Sequence, residues 1–541
     1  MADVRDAGEL IALALKRAGT SHIFTLNGGH IWPILTGAAK HGIRLVDVRH
    51  EQTAAFAAEG WAKVTRSCGV AAVTAGPGVT NATSAIAAAR ANDSPLLVLG
   101  GRAAAATWGM GALQEMDQVA VVRTLVKSAR TLESADEAYS AAHEAVRVAL
   151  SQRTGPSFLD VPIDILFSGG ETPAGERLQP DTGPDPDPVQ IEEAAELLHQ
   201  AERPALVAGS SVWWSHAEEE LVRFAESAAL PTILNGLARG MLPPDHALFR
   251  SRARSATLSQ ADLVFIVGVP LDFRLNFGRP PLFSEKARIV YVDVDDFRKH
   301  RPAVAAVYGN LKRSLAGLAH AAEQRRSRAA WLEKLAGVER AARERDKAMV
   351  DSDSCPIHPA RLVAEVERYC DEDAIIVGDG GDLVSFAGRL IERRQPGLWI
   401  DGGPFGCLGS GPAYAMAAKL AFPDRQVLLL CGDGAFGFSA MEFDTMIRHG
   451  IPVVCVIGNN GIWALEKHPM QDLLGTTIAT DLNPQTRYDK VVEALGGYAE
   501  LVERPQDIRA ALERAYTSGV AACINVRCDP KARYPRSTMP L

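Results

Sequence analysis

Asp433 and Asn460 are the residues whose types and spacing best suit a hard cation. Asp433 stands in Gly432-Asp433-Gly434 at the end of an apolar run, 427–431, and Asn460 closes Asn459-Asn460 at the end of a second run, 452–457. Mg2+ prefers an octahedron of oxygens and sheds water reluctantly, so it takes few protein ligands and completes its shell with phosphate. A carboxylate and an amide oxygen at neighbouring strand ends meet that need, while the glycines let backbone amides approach a diphosphate. A helical pattern carrying Met441, Phe443, Met446 and Ile447 joins the two runs, so 427–463 reads as a strand–helix–strand unit presenting its ligands side by side. The implied ligand is Mg2+–diphosphate. Gly-Asp-Gly alone carries little weight in a chain with 47 glycines, and Gly378-Asp379-Gly380 is a second copy without an Asn pair at comparable distance. The weight lies in its pairing, after 24 intervening residues, with the single Asn-Asn of the chain.

This pattern resembles the diphosphate motif of thiamine diphosphate (ThDP) enzymes, and within them the group of acetolactate synthases, oxalyl-CoA decarboxylases and 2-hydroxyacyl-CoA lyases. The resemblance covers nearly the whole chain. It implies Asp433, Asn460 and the backbone carbonyl of Ile462 as metal ligands, with Gly432, Gly434 and Ala435 around the diphosphate. Glu51, by type and place alone, is a carboxylate in the first turn of a helix, where it favours the helix dipole. The run from His50 through Glu59-Gly60-Trp61-Ala62 resembles the family's HE…EGYA stretch, and 75–82, AGPGVTNA, resembles its pyrimidine-binding loop, with Pro77 and Asn81. That match implies that Glu51 hydrogen-bonds N1′ of the aminopyrimidine and favours the imino tautomer, whose 4′ nitrogen can take the proton from thiazolium C2. A glutamate suits the task because a place closed to water raises its proton affinity. Residues 403–411, GPFGCLGSG, resemble the loop that props the cofactor into a bent shape, with Leu408 as the apolar wedge that forces a near-contact geometry.

Composition bounds the surroundings. At 541 residues, 47% hydrophobic and 23% charged, the chain is an ordinary globular protein of about three domains. A net charge of −8 and a pI near 6.0 argue against a nucleic-acid partner that needs a basic surface. Eight scattered cysteines without a CxxC pair point to a reduced, cytoplasmic chain. The N-terminus has the acidic residues and amphipathic period of a first helix instead of a signal peptide, and no apolar segment is long enough for a membrane.

Along the chain, apolar runs alternate with helical patterns, which predicts an α/β protein of three domains, each a mostly parallel doubly wound sheet. Residues 1–167, with strands near 22–26, 45–48, 70–74, 96–99 and 158–161, form the expected pyrimidine-binding domain. A polar, proline-rich linker, 168–189, follows. The middle domain, 190–320, has strands near 205–208, 232–234, 263–267 and 289–294 and no matching metal-ligand pair. A charged helical connector, 321–355, with its charge alternation most marked at 321–347, reads as solvent-facing. The diphosphate-binding domain, 356–528, adds a strand near 374–377 and one near 523–526, and 529–541 is a basic, proline-containing tail or lid. Because the first and third domains carry different halves of one cofactor site, the resemblance implies a homodimer at least, and a homotetramer as a dimer of dimers.

The substrate signals are of two kinds. In the middle domain 237–246 and 267–278 resemble the nucleotide-binding side of the CoA-dependent members more than the FAD-binding side of acetolactate synthases. Arg252, Arg254 and Arg274 could pair with CoA phosphates, Asp293 or Asp295 could accept from an adenosine ribose, and ADP is a further candidate ligand. Each arginine could equally be a solvated surface charge, and Pro270 replaces an arginine found in oxalyl-CoA enzymes. Nearer the chemistry, Leu113-Gln114 stands where oxalyl-CoA decarboxylases have Tyr-Glu and resembles the lyases. Leu113 would wall an alkyl group, and Gln114 would offer neutral hydrogen-bonding groups. Asn27, Gly28, His30 and Trp463 sit at strand ends facing the same place. Glu493 is a candidate second base, or equally a surface helix glutamate. In the tail, Lys531, Arg533 and Arg536 could lie near phosphate, and residues 539–541 match no peroxisomal address. The expected activity is a 2-hydroxyacyl-CoA lyase giving an aldehyde or ketone plus formyl-CoA. Oxalyl-CoA decarboxylase, an acetolactate synthase acting on pyruvate, and a non-catalytic ThDP-fold binding protein are the alternatives.

Overall fold

The computed structural model describes residues 4–175, 177–296, 301–322 and 327–535. Runs of fully buried apolar side chains, such as Leu428, Leu429 and Leu430 or Val264, Phe265 and Ile266, become the central strands of three sheets. Such strands need cover on both faces, and all neighbouring strands within these sheets are parallel. The first sheet runs, in space, Arg44–Asp47, His22–Leu26, Gly69–Val73, Leu96–Arg102, Ser157–Pro162 and Ser128–Thr131. The third runs Trp399–Asp401, Ile375–Asp379, Val427–Gly432, Val454–Asn459, Ala522–Arg527 and Tyr498–Val502. Numbered along the chain, both have the order 2-1-3-4-6-5. The middle sheet, Thr232–Leu234, Pro204–Ala208, Leu263–Val267, Arg288–Asp293 and Ala305–Tyr308, has the order 2-1-3-4-5. The architecture is thus the α/β, doubly wound one that the alternation predicts.

Where strand order reverses, the loops leaving the two adjacent strands diverge and open a crevice at the carboxyl ends. In the first sheet that point lies between the loops at 27–30 and 74–77. In the third it lies between 380–381 and 432–434. Gly28, His30, Pro77 and Asp433 fall at these two places, while Glu51 and Asn460 follow the neighbouring strands, Arg44–Asp47 and Val454–Asn459, at the same carboxyl ends.

Several expectations need correction. The helical stretch joining the strands Val427–Gly432 and Val454–Asn459 is two helices, Asp433–Ser439 and Glu442–Arg448. Part of the expected linker is sheet, since Gly169–Glu171 pairs antiparallel with Val4–Asp6. The charged connector contains the helix Ala329–Val350, which buries Trp331, Leu335 and Ala342 together with the carboxylates of Glu339 and Asp346. It is therefore a packed element, because its acids meet Arg252 of the middle domain and Arg389 of the third.

The first and third sheets are joined by two crossing helices, Glu51–Thr65 and Gly411–Ala421. Close approach is possible at Gly60, where a Cβ would stand 2.9 Å from the Tyr414 backbone. Beside it the fully buried Glu59 accepts from the Tyr414 hydroxyl at 2.6 Å and pairs with Lys63 at 3.0 Å. No helix among the described residues is long and apolar enough to cross a membrane.

Candidate functional site

Asp433 begins the helix Asp433–Ser439 directly after its strand and is 3% exposed. Its Oδ2 accepts from the Gly461 backbone N–H at 2.9 Å, which ties the end of the strand Val427–Gly432 to the turn after Val454–Asn459. Burial pushes the carboxyl up to about 6, with backbone donors offsetting only part of the desolvation. Asn460 lies in that turn, its Oδ1 accepting from the Ile462 N–H at 3.2 Å. Asp433, Asn460 and Ile462 line one cavity of about 290 Å³, together with Gly432, Gly434, Ala435 and Leu408. Trp463 forms a wall, and Gly434 must be glycine, because a Cβ there would come within 2.4 Å of the indole. An oxygen-only donor set, glycine walls and a buried carboxylate that a cation would relieve fit Mg2+ and a diphosphate.

The pyrimidine side is built at the carboxyl end of the first sheet. Glu51 is the first residue of its helix, 7% exposed, and its Oε2 accepts from Asn81 Nδ2 at 2.9 Å. Asn81 stands on the helix Pro77–Ala91, entered through Gly76 at φ 59°. The Gly76 N–H donates to Gln118 Oε1 at 2.7 Å, which pins the loop before Pro77. Around Thr74 the structure gathers three of the sequence candidates. Its hydroxyl lies 3.2 Å from His30 Nδ1 and 3.4 Å from Gln114 Oε1, and it packs against Gly28. Thr74 itself escaped notice because nothing in its spacing marks it.

Other candidates are placed differently. Leu113 is 77% exposed, so within this chain it walls nothing, and Asn27 is exposed as well. Glu493 faces outward from Tyr488–Ala494, paired with Lys490, and lines neither of the two larger cavities. Its candidacy as second base therefore fails on geometry. Leu408 is part-buried and lies between the two cavities, a position compatible with a wedge. Its loop is held by Asp379, whose carboxylate accepts from Gly409 N–H at 3.2 Å and Gly411 N–H at 2.7 Å. The second Gly-Asp-Gly thus secures the wedge loop from the neighbouring strand end.

A second cavity, of about 520 Å³, runs between the middle and third sheets and shares Gly380, Gly381, Gly406, Leu408 and Leu465 with the first. The predicted phosphate arginines line it, but two are already matched. Arg252 is paired with Glu392 and, at 3.5 Å, with Asp346, and Arg274 is paired with Asp272 at 2.6 Å. Arg254 bonds instead to the Arg274 carbonyl and lies 3.5 Å from Asn235 Oδ1. Four further arginines line it that were not anticipated, and of these Arg389 is paired with Asp346 and Arg393 with Glu367. Arg239 donates to the Ile391 carbonyl at 2.8 Å and lies 4.4 Å over the Trp399 ring, and Arg250 donates to the Phe249 and Leu332 carbonyls at 2.7 and 3.3 Å. Arg239, Arg250 and Arg254 have no carboxylate partner within salt-bridge distance among the described residues, and burial holds each below its ordinary pKa. A buried cation without a counter-charge is costly, so an anion entering here is favoured.

The acids at the end of the middle sheet are engaged too. Arg153 reaches across to Asp293 at 3.1 Å and Asp295 at 2.9 Å, and also meets Asp93 at 3.0 Å. A ribose would have to compete with that guanidinium, so the two acids are not open acceptors as expected. Of the tail, Arg533 pairs with Asp472 at 2.7 Å and Tyr534 packs edge-on against Phe386, centroids 5.3 Å apart. Arg536 and residues 539–541 lie outside the described residues. All eight cysteines are free.

Known proteins resemble the chain along its length. Domain-family models for the N-terminal TPP binding domain, the central domain and the C-terminal TPP binding domain of thiamine pyrophosphate enzymes match residues 5–121, 191–318 and 379–526. A probable acetolactate synthase of Mycobacterium bovis is 51% identical over 539 residues, covering 99% of this chain and 98% of the relative. An acetolactate synthase large subunit of Mycobacterium tuberculosis gives the same figures, 51% over 99% and 98%. A 2-hydroxyacyl-CoA lyase 2 of Homo sapiens is 35% identical over 557 residues, covering 94% of this chain and 86% of the relative. Three matched domains in this order, with Glu51, Asp433 and Asn460 at the carboxyl ends of the first and third sheets, place the chain in the thiamine pyrophosphate enzyme family, as a ThDP-dependent enzyme.

Proposed function

We propose that the protein is a carbon–carbon lyase that cleaves a 2-hydroxyacyl-CoA to an aldehyde or ketone and formyl-CoA, and runs the condensation in reverse, with ThDP and Mg2+. The observation behind this reading is the 520 Å³ cavity that continues from the cofactor side and presents Arg239, Arg250 and Arg254 without carboxylate partners. Coenzyme A is a long ligand bearing several phosphates, and guanidinium groups are suited to them. Asp433, Asn460 and the Ile462 carbonyl would hold the metal, and the glycines at 432 and 434 would admit the diphosphate. Bound ThDP supplies the electron sink for the bond that breaks. Glu51, steadied by Asn81, holds a proton at its carboxylate in a buried place. Gln114, Thr74 and His30 offer neutral polar groups beside it, and Leu408 keeps the narrow point between the cavities apolar.

Two copies complete the site in this reading. The cavity at Asp433 is lined by residues between 380 and 466 only, and Glu51, Pro77 and Asn81 are not among them. The activating carboxylate then comes from a second chain, which makes a homodimer the least unit and a dimer of dimers its natural extension.

A second reading, condensation of two 2-oxo acids in the manner of an acetolactate synthase, is favoured by the 51% relatives. Against a flavin-dependent form of it stands Arg153, which fills the end of the middle sheet beside a space of only about 20 Å³. Purified protein with ThDP and Mg2+ should release formyl-CoA from 2-hydroxyacyl-CoAs. Arg254→Ala should raise KM for the CoA substrate about tenfold or more with a smaller effect on kcat. Acetolactate formed from pyruvate, with no turnover of any acyl-CoA, would replace the first reading by the second.

A further inference from the structure

Glu442 opens the helix that follows the Asp433 helix, yet its side chain lines neither cavity and turns to the other domain. It is 1% exposed. Both carboxylate oxygens accept from the backbone N–H of Arg49, at 3.1 and 3.2 Å, and Oε2 also accepts from the Thr445 hydroxyl at 2.8 Å. The Thr53 hydroxyl is a further donor to it. Arg49 and Thr53 stand two residues before and two residues after Glu51. One carboxylate from the third-sheet domain therefore grips both sides of the turn that carries the activating glutamate of the first. The same helix and the residue after it add an outer clamp on the preceding strand. Arg448 and His449 each reach an Asp47 carboxylate oxygen at 2.8 Å, and the Arg44 guanidinium donates to the His449 carbonyl at 3.1 Å.

We propose that Glu442 is a positioning residue for Glu51. It fixes the turn 49–53, and so the direction of the Glu51 carboxylate, while Asn81 steadies that carboxylate from the opposite side. The job favours a doubly accepting group, since the Arg49 N–H, which can only donate, meets both oxygens. A glutamine of the same shape would keep one acceptor and turn an N–H2 toward the Arg49 N–H or a hydroxyl. A shift of this kind, well short of unfolding, is enough to misdirect a proton-transfer group.

The inference deepens the ThDP reading and rests on the part Glu51 plays in it, so the test separates the two. Full-length Glu442→Gln and Glu442→Asp would be compared with wild type in three measurements. These are calorimetry of ThDP uptake with Mg2+, hydrogen–deuterium exchange at C2 of the bound cofactor, and amide exchange of residues 49–53 without cofactor. The expected result for Glu442→Gln is C2 exchange slowed about tenfold or more, ThDP affinity within about threefold, and faster amide exchange confined to the turn. Glu442→Asp should recover part of the exchange rate. Should Glu442→Gln fail to fold, Thr53→Val, which removes one donor, should slow C2 exchange in the same sense. Unchanged C2 exchange in a folded variant, or slowing only in proportion to lost cofactor, would make Glu442 a domain-packing residue and overturn the proposal. If wild type takes up no ThDP, the cofactor reading fails instead, and the amide exchange alone still decides whether Glu442 holds the turn.

Discussion

Asp379 and Glu493 carry the same functional group in opposite surroundings. Glu493 is half exposed beside Lys490, whereas Asp379 is 2% exposed and meets only backbone N–H donors from the wedge loop. Burial pushes Asp379 from an ordinary 3.8 up to about 6. A raised carboxyl pKa means the fold favours the protonated form. The associated stability is complete below about pH 4 and is lost as pH rises through about 6, leaving a cost on the order of 3 kcal/mol at neutral pH. Thermal unfolding of the cofactor-free protein should therefore show wild type losing stability relative to Asp379→Asn between about pH 4 and pH 6, with the difference level above about pH 7. Parallel curves would mean that this carboxyl titrates as an exposed one does. Glu51 allows a chemical test at the same scale. Glu51→Gln keeps an acceptor for Asn81, so its unfolding midpoint should stay within a few degrees of wild type, while C2 exchange of bound ThDP falls by about a hundredfold or more. Wild-type exchange in that variant would remove Glu51 from the mechanism.

At the scale of elements, two helical glycines separate propensity from packing. Alanine is better than glycine inside a helix by about 1 kcal/mol, and at Gly337, where a Cβ would meet nothing within 4 Å, Gly337→Ala should gain roughly that. At Gly60 the added Cβ would strike the Tyr414 backbone at 2.9 Å, where the two domains' helices cross. Overpacking there costs about 1–3 kcal/mol, which exceeds the propensity gain, so Gly60→Ala should be net destabilising. Denaturant unfolding of the two variants should move in opposite directions, and stabilisation by both would show that the crossing has slack. The same contrast explains what could be read from the chain. Central strands such as Leu263–Val267 and Val427–Gly432 are continuous buried apolar runs and stand out as such. The edge strands Ser128–Thr131 and Tyr498–Val502 are mostly part-buried, and Trp399–Asp401 is only three residues long, so no apolar run announces them. Asp433, Asn460 and Glu51 were legible because each closely follows an apolar run, and the carboxyl ends of parallel strands are where ligands go. The partners of Arg252, Asp293 and Asp295 were not, since Glu392 and Arg153 reach them only through packing between domains. Glu442 and Asp379 escaped for the same reason, each acting on backbone that is remote in sequence.

Across the whole molecule, the two halves of the cofactor site stand on sheets of identical strand order, joined in one chain through the helices around Gly60 and through Glu442. The cavity beside Asp433 is lined by no residue of the first sheet's domain, Glu51 included. Apolar side chains at Met110, Leu113, Phe405, Phe438 and Met441 remain 49–78% exposed on loops and helices neighbouring the two half-sites. A second copy of the chain would cover such surface and supply the missing half at once. Complementation tests this arrangement directly. Glu51→Gln and Asp433→Asn should each be inactive as homodimers. In a mixed dimer one site receives both substitutions and the other receives neither, so random co-assembly of equal amounts should restore about a quarter of wild-type activity. Sites built within single chains would each keep one damaged half, and the mixture would stay as inactive as its components.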